Sequence, residues 1–243
     1  MRLTQQQVDT FNTDGFLLLR GFADEEMCDE IRTLASRHLY EMREPIESEE
    51  EYQQRQSGTK TTRRLRQVYQ REPIFRDWMT NPEIRPALEQ LLGEPPVLLL
   101  AHHNSIMTKL PQVSSVTTWH QDIRYWHFEN DNLLSVWLSL GDEYLENGLL
   151  EFIPGTHKMC FRPEQFDENS GFRDDLPENE ALIAKRVHFE LNKGDVVLFH
   201  AKTLHYANKN LSDEPKISFV YTVRGRNNHP LPGTRSDTAE VPL

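Results

Sequence analysis

Residues 195–205 have the sequence DVVLFHAKTLH, which combines a fold signal with a chemical one. The apolar run from Val196 to Phe199 has the length of a buried strand and is too short for a typical helix. His200 ends this run, and His205 follows the short connector after it. The segment therefore predicts a strand that presents an imidazole at or just beyond its end.

Short apolar runs of the same kind recur along the chain after Pro95 and Pro96. They cover residues 97–101, 105–108, 135–140, 149–153, 187–191 and 217–223. The Gly, Pro, Asn and Asp residues between them are typical of the turns of a β-sandwich or jelly roll. We therefore expect a mainly β fold with flanking helices, formed by residues 1–243 as a single domain.

The first 94 residues predict the helices that flank this sheet. Thr4 and Asp24 are candidate N-caps of two helices, and residues 15–21 between them predict a buried strand. A third helix is expected to begin at Asn81, which precedes a first-turn proline, and to end at Gly93.

Two polar stretches interrupt these elements. Residues 41–66 have little apolar content and predict a mobile loop, either a solvated linker or a lid. Its last residues include a basic cluster that could close over an anionic ligand, formed by Lys60, Arg63, Arg64 and Arg66. Residues 161–182 are rich in Asp, Glu and Asn and predict an acidic surface insertion.

The composition limits the classes of function that the sequence predicts. The chain has 38 acidic and 27 basic residues, and its net charge of -11 argues against a nucleic-acid partner. We find neither a signal peptide nor an apolar run long enough to span a membrane. Cys28 and Cys160 show no disulfide or thiolate-metal pattern. We expect a cytoplasmic protein.

A candidate metal site lies in residues 119–122, which have the sequence WHQD. His120 and Asp122 are two residues apart, so in an extended segment their side chains share one face. Arg124 and Trp126 would continue that face. Two imidazoles and one carboxylate form the facial triad of non-haem Fe(II) oxygenases, which leaves one side of the ion open. A surface strand with alternating polar residues would show the same local pattern.

The third ligand is not fixed by spacing. His200 and His205 are both candidates, and each could instead be a structural histidine. The remaining histidines that lack a carboxylate at ligand spacing are expected to be structural: His102, His103, His127, His157 and His188.

Five stretches, in this order along the chain, resemble the phytanoyl-CoA dioxygenase family. They are GFLLLRGF at 15–22, WHQD at 119–122, VWLSL at 136–140, NGLLEFIPGTHK at 147–158 and GDVVLFH at 194–200. The resemblance implies a cupin-like double-stranded β-helix that uses Fe(II) and 2-oxoglutarate, with ascorbate as an accessory cofactor. It also implies His120, Asp122 and His205 as iron ligands, which leaves His200 as a packing residue.

The same resemblance implies where 2-oxoglutarate binds. Lys216 stands where the family usually has an arginine that pairs with the distal carboxylate, and lysine lacks the bidentate fork of arginine. Ser218 would donate a second hydrogen bond. Arg224 or Arg226 could replace Lys216, although the favoured role of both arginines is surface charge at the end of the strand. The other implied contacts are Trp137, Met107, Gln121, and Arg66 or Arg64.

The substrate is less constrained. Arg124 and Arg64 suggest a small anionic molecule such as an acyl-CoA, a carboxylated sugar or an amino acid derivative, although Arg124 could simply pair with Asp131 or Glu129. Asp122 favours hydroxylation, because halogenating relatives have a small residue there. Two alternatives keep the fold: a hydroxylase of protein or peptide side chains, and a non-catalytic metal-binding module.

Overall fold

The structure is a computed structural model that describes residues 1–54 and 61–243. The strands in the described residues are β1 Phe16–Leu19, β2 Ile46–Ser48, β3 Thr62–Arg66, β4 Pro96–Leu99, β5 Asn104–Lys109, β6 Thr117–His120, β7 Leu133–Ser139, β8 Leu150–Phe152, β9 Val187–His188, β10 Val196–His200, β11 His205–Ala207, β12 Lys216–Gly225 and β13 Glu240–Pro242. The α-helices are α1 Gln5–Asp14, α2 Glu25–Tyr40, α3 Glu49–Tyr52, α4 Pro73–Met79, α5 Arg85–Leu92 and α6 Pro177–Ile183.

The strands form two antiparallel sheets. The larger sheet has the order β1-β10-β7-β12-β5-β3-β2, and β4 joins it by pairing with β12 and β13. The smaller sheet has the order β6-β11-β8-β9. Consecutive residues of β10 alternate between two cores, because side chains on a strand alternate between its faces. This two-sheet architecture with outer helices confirms the predicted jelly roll.

Each face of the larger sheet has its own core. Val197 and Phe199 of β10 pack with Phe152 of β8 between the two sheets. On the opposite face, Val196 and Leu198 pack in a separate cluster that also contains residues of α2, α4 and α5. The helices therefore cover one face of the larger sheet and leave the other for the smaller sheet.

The two predicted N-caps are confirmed. The Thr4 side chain accepts a hydrogen bond from the Gln7 amide within a capping box, and the Asp24 carboxylate accepts one from Met27. The predicted start of the third helix is wrong: α5 begins at Arg85, because Asn81 instead accepts from the Glu83 amide in a turn. Its predicted end is confirmed.

The structure corrects the predicted loop at 41–66. This stretch contributes β2, α3 and β3, and β3 pairs with β5 inside the larger sheet. The Glu47 carboxylate of β2 lies within ion-pair distance of three arginines of β3, which are Arg63, Arg64 and Arg66. Charge pairing therefore compensates for the low apolar content. Lys60, the remaining residue of the predicted basic cluster, lies outside the described residues.

The predicted surface insertion at 161–182 is partly buried. Phe166 and Phe172 pack against Trp119 and Leu204, so the stretch is anchored to the smaller sheet by aromatic side chains. Its acidic composition concealed this anchor. Within the described ranges, no helix is long and apolar enough to cross a membrane.

Candidate metal centre and its cavity

Three predicted ligands meet at one edge of the smaller sheet. His120 ends β6, His205 begins β11, and these residues are cross-strand partners. Asp122 follows at the start of a 3-10 helix, Asp122–Tyr125. One ligand atom from each of the three residues lies within 4.8 Å of the others. The Asp122 Oδ1 atom is 3.5 Å from His120 Nε2 and 3.7 Å from His205 Nε2.

Neighbouring carbonyls orient both imidazoles. His120 Nδ1 is 2.7 Å from the Thr118 carbonyl oxygen, and His205 Nδ1 is 3.0 Å from the Thr203 carbonyl oxygen. Because a carbonyl only accepts, each Nδ1 donates its proton there, and each Nε2 is the ring atom turned toward the ligand cluster. Burial lowers the pKa of His205 to about 4, so this imidazole is neutral near pH 7. The donor set suits a divalent transition metal such as Fe(II).

The two oxygens of Asp122 have different surroundings. Oδ1 faces the two histidines, whereas Oδ2 is 3.1 Å from His103 Nε2 and accepts a hydrogen bond of 3.4 Å from Ser135. Burial acts to raise the pKa of Asp122, but the imidazoles of His103 and His205 outweigh it and hold this pKa well below its usual value. The carboxylate is therefore ionised, with Oδ1 free for a metal.

His103 is a site residue that the sequence analysis assigned to a structural role. It lines the cavity described below, and its Nδ1 atom is buried without a hydrogen-bond partner in the described part of the chain. No local signal marks it, because its contact with Asp122 joins segments that are distant in sequence.

The extended segment ends earlier than predicted. Because the 3-10 helix begins at Asp122, Arg124 does not follow the metal-facing side. Its guanidinium lies 3.2 Å from the ring centroid of Phe166, and the residue is exposed. Trp126 stacks on His102 in a separate cluster. Gln121 donates a hydrogen bond of 2.6 Å to the Lys202 carbonyl. Arg124, Trp126 and Gln121 do not line the cavity.

The other candidate histidine, His200, stays outside the metal cluster. Its Nδ1 atom accepts a hydrogen bond of 3.1 Å from the Lys202 amide, and its ring lies 5.5 Å from that of His157. Burial lowers the pKa of His200 to about 4, which is consistent with a neutral packing residue.

A cavity extends from the metal cluster between the two sheets. Its walls include Met107, Trp137 and Leu150, and its lining also includes His120, His205 and His103. Away from the metal cluster it is bordered by three basic residues: Arg63, Lys109 and Lys216. We call this the basic end.

Lys216 is fully engaged with an internal carboxylate. Its Nζ atom lies 3.2 Å from Glu143 Oε2, and the other oxygen, Oε1, accepts hydrogen bonds of 2.6 Å from Ser218 and 3.0 Å from Trp137. The Glu143 side chain is 0% exposed and that of Lys216 is 4% exposed. Glu143 was not predicted as a site residue, because its neighbours come from β7 and β12.

Lys109 also reaches the basic end, but it has no carboxylate partner in the described part of the chain. Its Nζ atom contacts the carbonyls of Ser115 at 2.6 Å and Ala207 at 3.2 Å, and the Thr117 hydroxyl at 3.4 Å. Burial, followed by the charges of Lys216 and Arg63, lowers the pKa of Lys109 to about 6.

The predicted basic contacts Arg64 and Arg66 are held by carboxylates. The Arg64 guanidinium contacts Glu47 at 2.7 Å, and Arg66 contacts Glu47 at 2.6 Å and Glu51 at 3.3 Å. Neither residue lines the cavity. Their neighbour Arg63 does, and it donates a hydrogen bond of 3.0 Å to the Thr117 hydroxyl. Arg224, one alternative to Lys216, is paired with Glu240 at 2.6 Å.

Comparison with known proteins agrees with this arrangement. Ectoine dioxygenase of Bordetella bronchiseptica is 25% identical over 233 residues, covering 89% of this chain and 73% of that protein. The peroxisomal phytanoyl-CoA dioxygenase of Homo sapiens is 28% identical over 231 residues, covering 86% of this chain and 64% of that protein. This chain thus spans just under two thirds of the human enzyme.

Solved structures share the fold. The epimerase SnoN, in complex with Fe3+, alpha-ketoglutarate and nogalamycin RO, has a TM-score of 0.77 at 24% identity and covers 98% of this chain and 94% of its own. EctD from S. alaskensis, with 2-oxoglutarate and 5-hydroxyectoine, has a TM-score of 0.75 at 19% identity and covers 94% of this chain and 78% of its own.

A family model also matches most of the sequence. A family model for phytanoyl-CoA dioxygenase (PhyH) matches residues 11–218, which include the three clustered ligands and most of both sheets. This protein therefore belongs to the phytanoyl-CoA dioxygenase family, and it is an Fe(II)- and 2-oxoglutarate-dependent dioxygenase.

Proposed function

We propose that this protein hydroxylates a C–H bond of a small molecule, with Fe(II) held by His120, Asp122 and His205. The observation that carries the proposal is a single cavity that joins this cluster to buried basic side chains. A 2-oxo dicarboxylate has matching ends, since its keto acid chelates a metal and its distal carboxylate requires a cation. When bound, Fe(II) and 2-oxoglutarate would supply hydroxylation of a C–H bond by dioxygen, with one oxygen atom entering the substrate and the other entering succinate as carbon dioxide is released.

The chain's own residues prepare this chemistry. Thr118 and Thr203 fix the two imidazoles with Nε2 directed at the ligand cluster. His103 and Ser135 contact one oxygen of Asp122 and leave the other for the metal. Because the cavity lies between two sheets and has apolar walls, it limits access of water to the reacting atoms.

The proposed substrate is a small molecule, and the structure gives less support for its negative charge than for its size. Of the two residues that suggested an anionic substrate, Arg124 lies over Phe166 and Arg64 is paired with Glu47. We therefore place the anion requirement on the cosubstrate rather than on the substrate. A cleft between sheets also suits a small molecule better than a folded protein surface.

The experiment is an anaerobic titration of the apoprotein with Fe(II) and 2-oxoglutarate, followed by the weak visible charge-transfer band of the chelated keto acid. We expect a saturable band in the wild type that is lost in Asp122→Ala. Asp213→Ala, which changes an exposed aspartate that does not line the cavity, is the matched control and should keep the band.

Aerobic assays then test turnover. Candidate small molecules are added with Fe(II) and 2-oxoglutarate, and succinate formation is measured with and without each candidate. One of them should raise succinate formation and gain one oxygen atom by mass. Bound iron without any visible band would contradict the proposed function and favour a metal-binding module.

A further inference from the structure

Lys109 and Lys216 are a matched pair in the larger sheet. They are direct cross-strand partners on β5 and β12, and both line the basic end of the cavity. Side chains of directly opposed residues lie on the same face of a sheet, so both lysines approach the same space. Both are buried, at 8% and 4% exposure. Their electrostatic partners nevertheless differ.

Lys216 already has the carboxylate that a cosubstrate would bring. Glu143 takes Lys216, Ser218 and Trp137 as its contacts, which are three of the residues that the family resemblance implied for 2-oxoglutarate. A second carboxylate at the same donors would lie beside the buried charge of Glu143, and like charges in a buried site repel strongly. Lys216 therefore makes a poor distal anchor.

Lys109 lacks a counter-ion among the described residues. Its contacts are two carbonyls and one hydroxyl, and the Thr117 hydroxyl also accepts from Arg63. The nearby Glu47 is shared by three arginines, so Arg63 is only partly neutralised. A buried cation without a carboxylate is costly unless a ligand supplies one.

The spacing along β11 fits the length of 2-oxoglutarate. Lys109 Nζ contacts the carbonyl of Ala207, which lies two residues after the proposed ligand His205. Two residues of a strand span about 6.6 Å. A five-carbon dicarboxylate that chelates a metal at His205 places its distal carboxylate at a comparable distance from the metal.

We propose that Lys109, assisted by Arg63, binds the distal carboxylate of 2-oxoglutarate, and that Lys216 and Glu143 form a structural ion pair. This inference rests on the proposed function. It moves the anchor from the β12 position to the β5 strand opposite, and it assigns Glu143 the task of neutralising the usual position.

The test compares two keto acids across matched variants. 2-Oxoglutarate and 2-oxopentanoate chelate iron identically, but only the first has a distal carboxylate. Their dissociation constants are measured from the visible band under anaerobic conditions in wild type, Lys109→Met and Lys216→Met. Because Lys216→Met leaves Glu143 without its partner, the double variant Lys216→Met with Glu143→Met is included to keep the protein folded.

In the wild type, 2-oxoglutarate should bind at least about 30-fold more tightly than 2-oxopentanoate, as expected for a buried charge pair. Lys109→Met should remove most of this preference and leave the affinity for 2-oxopentanoate within about 2-fold. The Lys216 variants should keep the preference. Circular dichroism and iron binding confirm that each variant is folded and loaded.

The other outcomes are distinguishable. A preference kept in Lys109→Met would overturn the inference, and so would a preference lost in the double variant, while the band itself would uphold the proposed function. A wild type that gives no band with either keto acid would overturn the proposed function as well.

Discussion

The two ends of the cavity are prepared for opposite charges. At the metal end, an ionised aspartate and two imidazoles face a common point, and each imidazole is fixed by a carbonyl two residues earlier in the chain. At the basic end, Lys216 is paired with Glu143, whereas Lys109 contacts no carboxylate within residues 1–54 and 61–243. The cavity is therefore prepared to bind a metal cation at one end and an anionic group at the other.

The largest expected effect concerns the buried ion pair of Lys216 and Glu143. Lys216→Met removes the partner of a fully buried carboxylate, so the free energy of unfolding should fall by about 3–5 kcal/mol. Urea denaturation of the apoprotein measures it. The double variant with Glu143→Met should recover most of the loss, because the uncompensated charge is gone. A single variant as stable as wild type would show that Glu143 is not held by Lys216.

The next effect is the pH dependence of stability that the burial of Lys109 causes. The pKa of Lys109 is about 6 in the folded protein against an ordinary value of 10.5, so the unfolded chain binds more protons between these values. Stability from this group is therefore lowest below pH 6 and rises with pH, by at most about 1.4 kcal/mol per pH unit. Lys216 and Arg63 strengthen the effect, and Glu49 weakens it.

Lys109→Met should therefore be more stable than wild type at pH 7 in the absence of cosubstrate, and the difference should shrink toward pH 10. Parallel urea titrations at several pH values measure it. The opposite sign from Lys216→Met is the informative result, since the two lysines are cross-strand partners. A loss of stability at pH 7 would mean that Lys109 has a counter-ion in the folded protein.

The smallest effect concerns Arg124, which was predicted at the metal end and lies over Phe166 instead. Arg124→Ala should cost about 0.5–1 kcal/mol of stability through the lost cation–π contact. The affinity for 2-oxoglutarate, measured from the visible band, should stay within about 2-fold. A large loss of affinity with unchanged stability would contradict this placement and indicate that Arg124 contacts the cosubstrate in the cavity.

The metal end was predictable because its signals are local. The spacing of His120 and Asp122 is visible in four residues, and the resemblance to a family selected His205 over His200. The strands that hold them, β6 and β11, were missed because they are short and contain few consecutive apolar residues. His103 was also missed, since only the folded chain brings it to Asp122.

The basic end could not be predicted in the same way. Lys109 and Lys216 become neighbours through the register of β5 and β12, and Glu143 reaches them from the segment after β7. An acidic residue in an isolated β-bridge, as Glu143 is with Leu191, has no sequence mark that distinguishes a buried counter-ion from a solvated one. The loop predicted at 41–66 failed for the same reason, because Glu47 and its arginines pair across strands.

An anaerobic crystal structure with Fe(II) and 2-oxoglutarate tests the central claim most directly, because it locates both ends of the ligand at once. We predict the metal on His120 Nε2, Asp122 Oδ1 and His205 Nε2, and the distal carboxylate within hydrogen-bonding distance of Lys109 Nζ, with Lys216 still on Glu143. A distal carboxylate bound by Lys216, with Glu143 displaced from it, would contradict the account.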